Sequence, residues 1–372
     1  MKSLSIVIPC LNEEEGISFC LEKIKRVLQK ENIEKTEIII VDNGSTDKSI
    51  EIAQEFNVKI IKENKKGYGN ALRTGIKHAS GEFVAFADAD DSYDFLELNK
   101  FIQKANEGYD VIQGCRFKKC GGNIHDGAMP FSHRYFGNPF LSFMTKLFFG
   151  IKFNDVYCGF RMFKKSIYEK NFYFSNGMEF AVENIIKLFF STKKYVEIPI
   201  TLHRDKRKNT IGHLKTLSDG FKTLKFILLQ GSQIPSLILS AIFMFFSFQY
   251  YHKVDFADAS YLDSNFLITV AFFFASIQFI FFSLYANLAS IYLGFKKNKF
   301  LLKIYKFLNF NQALLLSTLL LIFSIFLLIN IKLEILNLGN YSLIIGLTIL
   351  GVSIQLIMNV LIVSILEFFK KN

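Results

Sequence analysis

The stretch EFVAFADADDSYD, residues 82–94, decides how the N-terminal part of this chain is read. Its first half is a short run of apolar and small residues, the pattern of a strand buried on both faces. Its second half is a burst of carboxylates: Asp88, Asp90, Asp91 and Asp94. A buried strand that ends abruptly in charge puts those charges at one end of a sheet. On an extended chain Asp88 and Asp90, two residues apart, project to the same side.

The same alternation recurs outward from this stretch. LSIVIP (4–9), EIIIVD (37–42), VKIIKE (58–63) and YDVIQG (109–114) read as further strands. Helical patterns lie between them, through Lys30, from NGSTD through Phe56, over 70–79 and near 95–107. The fold class is therefore α/β, a Rossmann-like, mainly parallel sheet between helices. In such sheets ligands bind beyond the carboxyl ends of the strands. Asn12, Asp42, Asp88 and Asp90 all fall there.

Two adjacent carboxylates disfavour each other's ionisation, and a divalent cation held between them and a diphosphate removes that penalty. Magnesium or manganese suits such hard oxygen ligands and keeps phosphate oxygens in its shell, so Asp88 and Asp90 are the expected metal ligands. Asp91 and Asp94 are better placed to start the next helix. The competing reading of DADDSYD is a solvated acidic turn. Asp42, ending the second strand, is placed to accept hydrogen bonds from a base or ribose. Its alternative role, capping the next helix, suits Ser45, Thr46 or Asp47 better. In KKGYGNALRTG (65–75), Gly67 and Gly69 form a turn before a helix. Small residues let backbone approach a ligand, and a helix N-terminus favours phosphate.

These pieces occur in one order: P-x-x-N-E (9–13), V-D-N-G-S-T-D (41–47), K-G-x-G-x-A-L-R-x-G (66–75), then D-A-D (88–90). The chain thereby resembles the family-two glycosyltransferases of the GT-A fold. More narrowly it looks like their polyprenyl-phosphate branch, the dolichyl-phosphate mannose and glucose synthases and bacterial undecaprenyl-phosphate glycosyltransferases. The resemblance continues through GCRF (114–117), HRYFGNP (133–139), DVYCGFRMFKK (155–165) and GMEFAVE (177–183) to the basic stretch at 213–229. It implies an inverting hexosyltransferase with Mg2+ or Mn2+ as cofactor, a nucleotide-sugar donor and a polyprenyl phosphate acceptor. Pro9, Asn12, Glu13, Asp42, Gly67 and Gly69 would line the donor pocket, with Asp88 and Asp90 on metal and diphosphate. Arg116 and Arg134 would lie near the acceptor phosphate. Asp155 matches an acidic residue proposed as a base in some relatives, and Arg161 would orient that segment or contact phosphate. After D-A-D the mannose synthases read L-Q-H where this chain reads D-S-Y-D, which weakens the transfer of GDP-mannose as donor and of a third metal ligand.

The implied reaction is attack of a phosphate monoester oxygen on the anomeric carbon as nucleoside diphosphate leaves. The nucleophile is already anionic near neutral pH, so a strong general base is not essential, and Asp155 is open to either a base or a positioning role. Two anions must meet, so cations are required. Arg116, Arg134 and the run Arg204, Lys206, Arg207, Lys208 are candidates, since arginine holds phosphate bidentately.

The second half of the chain is of another kind. Four apolar stretches without a charged residue, about 234–250, 266–295, 313–331 and 341–366, approach or exceed the length that crosses hydrocarbon. Basic residues gather after the second (Lys296, Lys297, Lys299, Lys303, Lys306) and the fourth (Lys370, Lys371). The positive-inside rule then puts both termini and the large domain in the cytoplasm. We expect a catalytic domain over 1–212, an amphipathic interfacial segment over 213–231 and a membrane domain over 232–372 in a cytoplasmic membrane.

Two segments, 135–149 and 220–229, mix aromatic and aliphatic residues with lysines as interfacial helices do; the alternative is that their stripes are domain core. Glu179 and Glu183 share a helical face and serve either catalysis or pairing with basic residues. The net charge of +11 fits basic loops and attraction to anionic lipid. No nucleic-acid module accompanies it, so nucleic acid is not an expected partner. A homo-oligomer is left open. No cleavable signal is expected, since a strand begins almost at once. The five cysteines lie in the domain expected to be cytoplasmic, where disulfides are not expected.

The absence of tryptophan excludes the Q-x-x-R-W signature of processive polysaccharide synthases. A lipid transporter or flippase would be expected to carry intramembrane charge. A catalytically dead scaffold is disfavoured because the carboxylates that the motif requires are present.

Overall fold

The computed structural model of this chain describes residues 1–31, 33–207, 216–253, 264–295, 318–319, 322 and 349–354. It divides into two compact units, Met1–Leu228 and Leu229–Asn372.

The first unit runs β1 (Ser3–Cys10), α1 (Ile17–Lys30), β2 (Lys35–Asp42), α2 (Ser49–Gln54), β3 (Lys59–Lys62), α3 (Tyr68–His78), β4 (Phe83–Phe86), α4 (Leu98–Asn106) and β5 (Val111–Cys115). It continues with β6 (Asn123–Ile124), α5 (Asn138–Phe149), β7 (Arg161–Lys164), α6 (Lys165–Tyr168), α7 (Phe180–Ser191), β8 (Tyr195–Pro199), β9 (Thr201–Leu202) and α8 (Thr216–Gln230). Seven strands form one sheet in the order β3-β2-β1-β4-β7-β5-β8. Every pairing in it is parallel except those of β7, which runs antiparallel between β4 and β5.

The alternation along β1 shows how the sheet is covered. Leu4, Ile6 and Ile8 join Ile17, Cys20, Leu21 and Ile24 of α1 and Phe101 of α4 in one buried cluster. Val7 points the other way, against α3. Each fully buried aliphatic side chain contributes about 1.5–3 kcal/mol, and such strands are apolar on both faces because helices lie on both. Phe160, just before β7, stacks on Phe101 at 4.2 Å between ring centroids and meets Phe95 at 5.5 Å.

The chain winds outward from β1 to β2 and β3, then returns to place β4 on the other side of β1. The crevice where the winding reverses, at the carboxyl ends of β1 and β4, is where such sheets bind ligands. The expected fourth strand ends earlier than the sequence pattern suggested, at Phe86 rather than Asp90. Residues 87–91 leave the sheet and turn at Asp91, whose φ is +61°.

One expectation is corrected here. Cys115 and Cys120 are joined as a disulfide, with Cα atoms 6.3 Å apart, although none was expected. The cause is local: β5 ends at Cys115, and a turn closed by Gly121 at φ +81° brings Cys120 back beside it. Cys10, Cys20 and Cys158 are free and buried.

In the second unit α9 (Gln233–Tyr251) and α10 (Ser264–Tyr292) pack together. Ser240 and Ser276 hydroxyls meet at 3.1 Å, and Ser247 donates to the carbonyl of Thr269 at 3.0 Å. Small polar residues of this kind let helices approach closely. Gln233–Tyr251 and Ile268–Tyr292 are long and apolar enough to cross a membrane, with mean hydropathies of 1.4 and 1.9. The expected stretches 313–331 and 341–366 fall almost wholly outside the described residues.

Inside the first unit, α7 carries a fully buried ion pair, Lys187 to Glu183 at 2.7 Å. The Glu183 carboxylate also accepts from the backbone N–H groups of Phe174 and Ser175. Glu183 thus pairs with a basic neighbour, the second of its two expected roles. Glu183→Ala leaves an ammonium and two amides buried without this acceptor. We expect it to cost about 3–5 kcal/mol, read as a lower midpoint in thermal or urea unfolding; an unchanged midpoint would contradict the buried pair.

Candidate functional site

The site is assembled from the loops after β1, β2 and β4 and from two later segments. Pro9 lies near the end of β1, beyond the last β1–β4 pair, Val7 with Phe86, so its missing N–H breaks no bond on that side. Asn12 turns the chain at φ +54°. Its side chain accepts from Thr46 N at 2.8 Å, tying the loop after β1 to that after β2. Glu13 is held from behind, its backbone N–H donating to Ser49 Oγ at 2.7 Å.

Asp42 ends β2, and its Oδ1 accepts from the N–H groups of Gly44 and Ser45 at 3.0 and 2.8 Å. One carboxylate oxygen is therefore used in shaping its own loop. Asn43, which sequence reasoning passed over, is buried beside it. Asn43 donates to the carbonyls of Glu63 and Lys65 and accepts from Gly67 N. Its neighbours in V-D-N-G were conspicuous for their charge and flexibility, and the amide signalled nothing alone.

Asp88 is half-buried and accepts a hydrogen bond from the Tyr68 hydroxyl. Burial, and next the charge of Asp90, push its carboxyl up to about 7. Asp90 is 8% exposed, with Oδ1 accepting from Ser92 N at 3.0 Å and Oδ2 lying 3.1 Å from Arg207 Nη1. The same guanidinium holds Glu13, through Nε at 2.9 Å and through Nη2. Burial raises Glu13 to about 7, against the opposing pull of Arg207. Arg207 therefore stands on the carboxylate side of the site, whereas the 204–208 run was expected around an acceptor phosphate. Arg204 donates to the carbonyl of Asp126, and Lys208 lies outside the described residues. Asp91 and Asp94 turn away to Lys23 of α1, at 2.8 and 3.3 Å, and Asp94 caps the turn at Phe95–Glu97.

Gly67 and Gly69 do approach something closely, but it is protein. A Cβ on either would run into the backbone of Asn176 or Ser175. Arg73 of α3 reinforces this contact, donating to Tyr173 O at 2.8 Å and Asn176 Oδ1 at 2.8 Å. The glycines of K-G-x-G-x-A-L-R seat the 173–176 segment against α3. Protein packing therefore accounts for both glycines.

Arg116 and Asp155 form the other half of the arrangement. Arg116 Nε and Nη2 donate to the two Asp155 oxygens at 2.7 and 2.8 Å, and Arg116 N donates to Oδ2 at 3.1 Å. Asp155 is fully buried. With both oxygens engaged and no exposure, this geometry favours positioning over a base. Arg116 also donates from Nη1 to the Tyr93 hydroxyl at 3.4 Å. Burial and the Arg116 charge lower His133, so the 133–134 segment feels Arg116. Arg134 itself stands 3.8 Å from Asp126 and lies over the Tyr135 ring.

Arg161 departs furthest from expectation. It is fully buried, donating to Gln113 Oε1, to Ala181 O at 3.0 Å and to Asn184 Oδ1 at 2.6 Å. Burial lowers it to about 10, which leaves it charged at neutral pH. It ties β7 to β5 and α7 inside the core and is closed off from a phosphate; of its two expected roles, only orientation of its segment is consistent with this position.

Residues 5–172 match the family model described as glycosyl transferase family 2. The chain carries a glycosyl transferase family 2 domain. The mainly parallel sheet flanked by helices is the GT-A-like architecture that its motifs implied. The low-salt glycan biosynthesis hexosyltransferase Agl6 of Haloferax volcanii is 35% identical over 241 residues, 64% of this chain and 55% of that protein. The chain thus spans only about half the length of that relative. A dolichyl-phosphate hexose transferase of the same organism is 27% identical over 53% of this chain and 81% of its own. A crystal structure of glucosyl-3-phosphoglycerate synthase from Mycobacterium tuberculosis, in complex with Mn2+, UDP and glucosyl-3-phosphoglycerate, is similar over 61% of this chain and 79% of that one. Its TM-score is 0.49 at 18% identity.

The raised Glu13 carboxyl in this family 2 domain gives a signed pH prediction. Between about 4.5 and 7 the folded state holds a proton that the unfolded chain has released. Stability contributed by Glu13 therefore falls as pH rises through that window, by at most about 3 kcal/mol. Glu13→Gln stays neutral, so its unfolding midpoint should fall less steeply than the wild type's between pH 4.5 and 7; parallel curves would count against it.

Proposed function

We propose that the chain transfers a hexosyl group from a nucleotide-diphosphate sugar to a polyprenyl phosphate at the cytoplasmic face of a membrane. The observation that carries this reading is the gathering of Glu13, Asp88 and Asp90 at the carboxyl ends of β1 and β4, around a guanidinium, within a family 2 domain. The names of the two Haloferax relatives, a hexosyltransferase and a dolichyl-phosphate hexose transferase, point the same way.

The donor side follows from charge. Asp88 raised to about 7 and Asp90 against Arg207 make a pocket that calls for positive charge. Its hard oxygens suit Mg2+ or Mn2+, with phosphate oxygens completing the shell. A metal held by Asp88 and Asp90 would act as a Lewis acid toward the charge growing on the departing diphosphate. Asp42, whose second carboxylate oxygen is not used by the loop amides, is assigned to base or ribose.

The acceptor side follows from what the reaction lacks. A phosphate monoester is already an anion, so it needs orientation and neutralisation more than deprotonation. Arg116, fixed by Asp155, supplies a guanidinium edge for it, and Arg134 adds charge. Asp155 acts by holding Arg116, which leaves proton removal to no protein base.

The lipid side rests on exposure. Phe136, Phe140, Phe143 and Leu147, spaced four, three and four apart along the helical run into α5, are 65%, 48%, 58% and 49% exposed. Phe221 and Leu229 on α8 are likewise exposed. Aromatic stripes left out of the core, with Lys146, Lys222 and Lys225 among them, suit an interface with anionic lipid. In sequence α8 leads directly to the apolar helices α9 and α10. These features support interfacial segments and a multi-pass membrane domain.

The test is a transfer assay with the full chain in lipid, polyprenyl phosphate, Mg2+ or Mn2+ and a panel of nucleotide sugars. A lipid-linked monosaccharide is expected with at least one donor. Folded protein that binds nucleotide yet transfers nothing would sink the reading. Asp90→Ala should lower turnover by at least about a hundredfold, whereas Asp91→Asn, facing Lys23, should stay within about threefold. Equal losses would remove Asp90 from the metal assignment.

A further inference from the structure

Just after D-A-D the chain reads D-S-Y-D, and the third residue of that segment, Tyr93, turns inward. It is 3% exposed, with its ring edge-on to Phe160 at 6.1 Å. The ring is thus placed by the core, and the hydroxyl is carried to a fixed point. There it accepts from Gly159 N at 2.8 Å and from Arg116 Nη1 at 3.4 Å. Gly159 fills the gap toward the carboxylates: a Cβ there would stand 3.2 Å from Asp88 Oδ2 and 3.2 Å from the Tyr93 hydroxyl. The backbone around Tyr93 is pinned as well, by a bridge to Leu202 and by His203 N donating to Ser92 O at 2.8 Å. One hydroxyl therefore joins the loop after β4, the arginine after β5 and the turn before β7.

We propose that Tyr93 is a positioning residue for glycosyl transfer, its hydroxyl setting the Arg116 guanidinium and the Gly159 turn at a fixed separation from Asp88 and Asp90. This rests on the reading that Arg116 meets the acceptor phosphate and the aspartates meet the donor. A guanidinium carries five N–H groups. Asp155 engages the Nε edge and Tyr93 steadies Nη1, so the N–H groups left over are presented in one orientation. Two anions held by separate loops react only if those loops keep their spacing, and a displacement of about 1 Å costs on the order of a hundredfold in rate.

Tyr93→Phe keeps the ring on Phe160 and deletes only the hydroxyl. The experiment compares wild-type and Tyr93→Phe full chains in lipid, by steady-state transfer kinetics and by calorimetric binding of Mg2+ with the nucleoside diphosphate of the active donor. We expect kcat/KM for polyprenyl phosphate to fall roughly ten- to hundredfold, with nucleotide affinity unchanged within about twofold. Full activity in the variant overturns the proposal. Loss of the folded state, or equal losses in nucleotide affinity and transfer, also overturns it, since the hydroxyl would then be a general structural bond. A wild-type chain that transfers to no polyprenyl phosphate is a separate failure, which removes the reading of the site and this role with it.

Discussion

Three carboxylates stand close together at the carboxyl ends of β1 and β4, largely out of water, and much of the first unit is arranged to keep them there. Glu13 and Asp88 are each pushed up to about 7, chiefly by burial. Left alone, such a group of anions would spread or take up protons. The chain holds it instead with hydrogen bonds: Ser49 Oγ fixes the Glu13 amide, Ser92 N binds Asp90, and the Tyr68 hydroxyl binds Asp88. Arg207 supplies a charge that spans two members of the group. On the proposed reading, in which a divalent ion and a diphosphate enter this site, Arg207 is the counter-ion that they would displace.

The opposite half of the site solves a different problem. Arg116 must keep its charge while nearly buried, and Asp155 makes this tolerable by engaging it bidentately in a pair whose breaking would be strongly destabilising. That assignment uses up Asp155. A carboxylate already holding a guanidinium and a backbone amide has little left with which to take a proton. The chemistry asks for none, because the nucleophile proposed here is anionic from the start. For the proposed reaction, then, cations matter more than bases in this site.

How much of this was legible in the sequence varied with how local its cause is. Strands β1, β2, β4 and β5 were readable because parallel strands covered by helices on both faces are near-continuous apolar runs. Strand β7 was not, since Arg161 in a four-residue strand looks like surface until Gln113, Ala181 and Asn184 are known to surround it. The same blindness made Arg161 a candidate for phosphate. Gly67 and Gly69 announced a close approach but not its partner, because the 173–176 backbone lies about a hundred residues away. The aromatic stripe through Phe140 and Phe143 was equally ambiguous. Periodicity reveals one apolar face but not whether protein covers it, and the exposure of Phe140 and Phe143 shows that the core does not.

Tyr93 belongs to the same class of hidden feature. Asp91, the first residue of D-S-Y-D, is turned away from the other carboxylates and paired with Lys23 on α1. What the segment gains is a bond across the crevice, from the carboxylate loop to Arg116 and Gly159. A site built from loops after three different strands has no covalent reason to keep its halves in register. The sheet fixes where the strands end, but the loops beyond them need their own fastening, and a buried hydroxyl accepting from both sides is a stiff way to provide it.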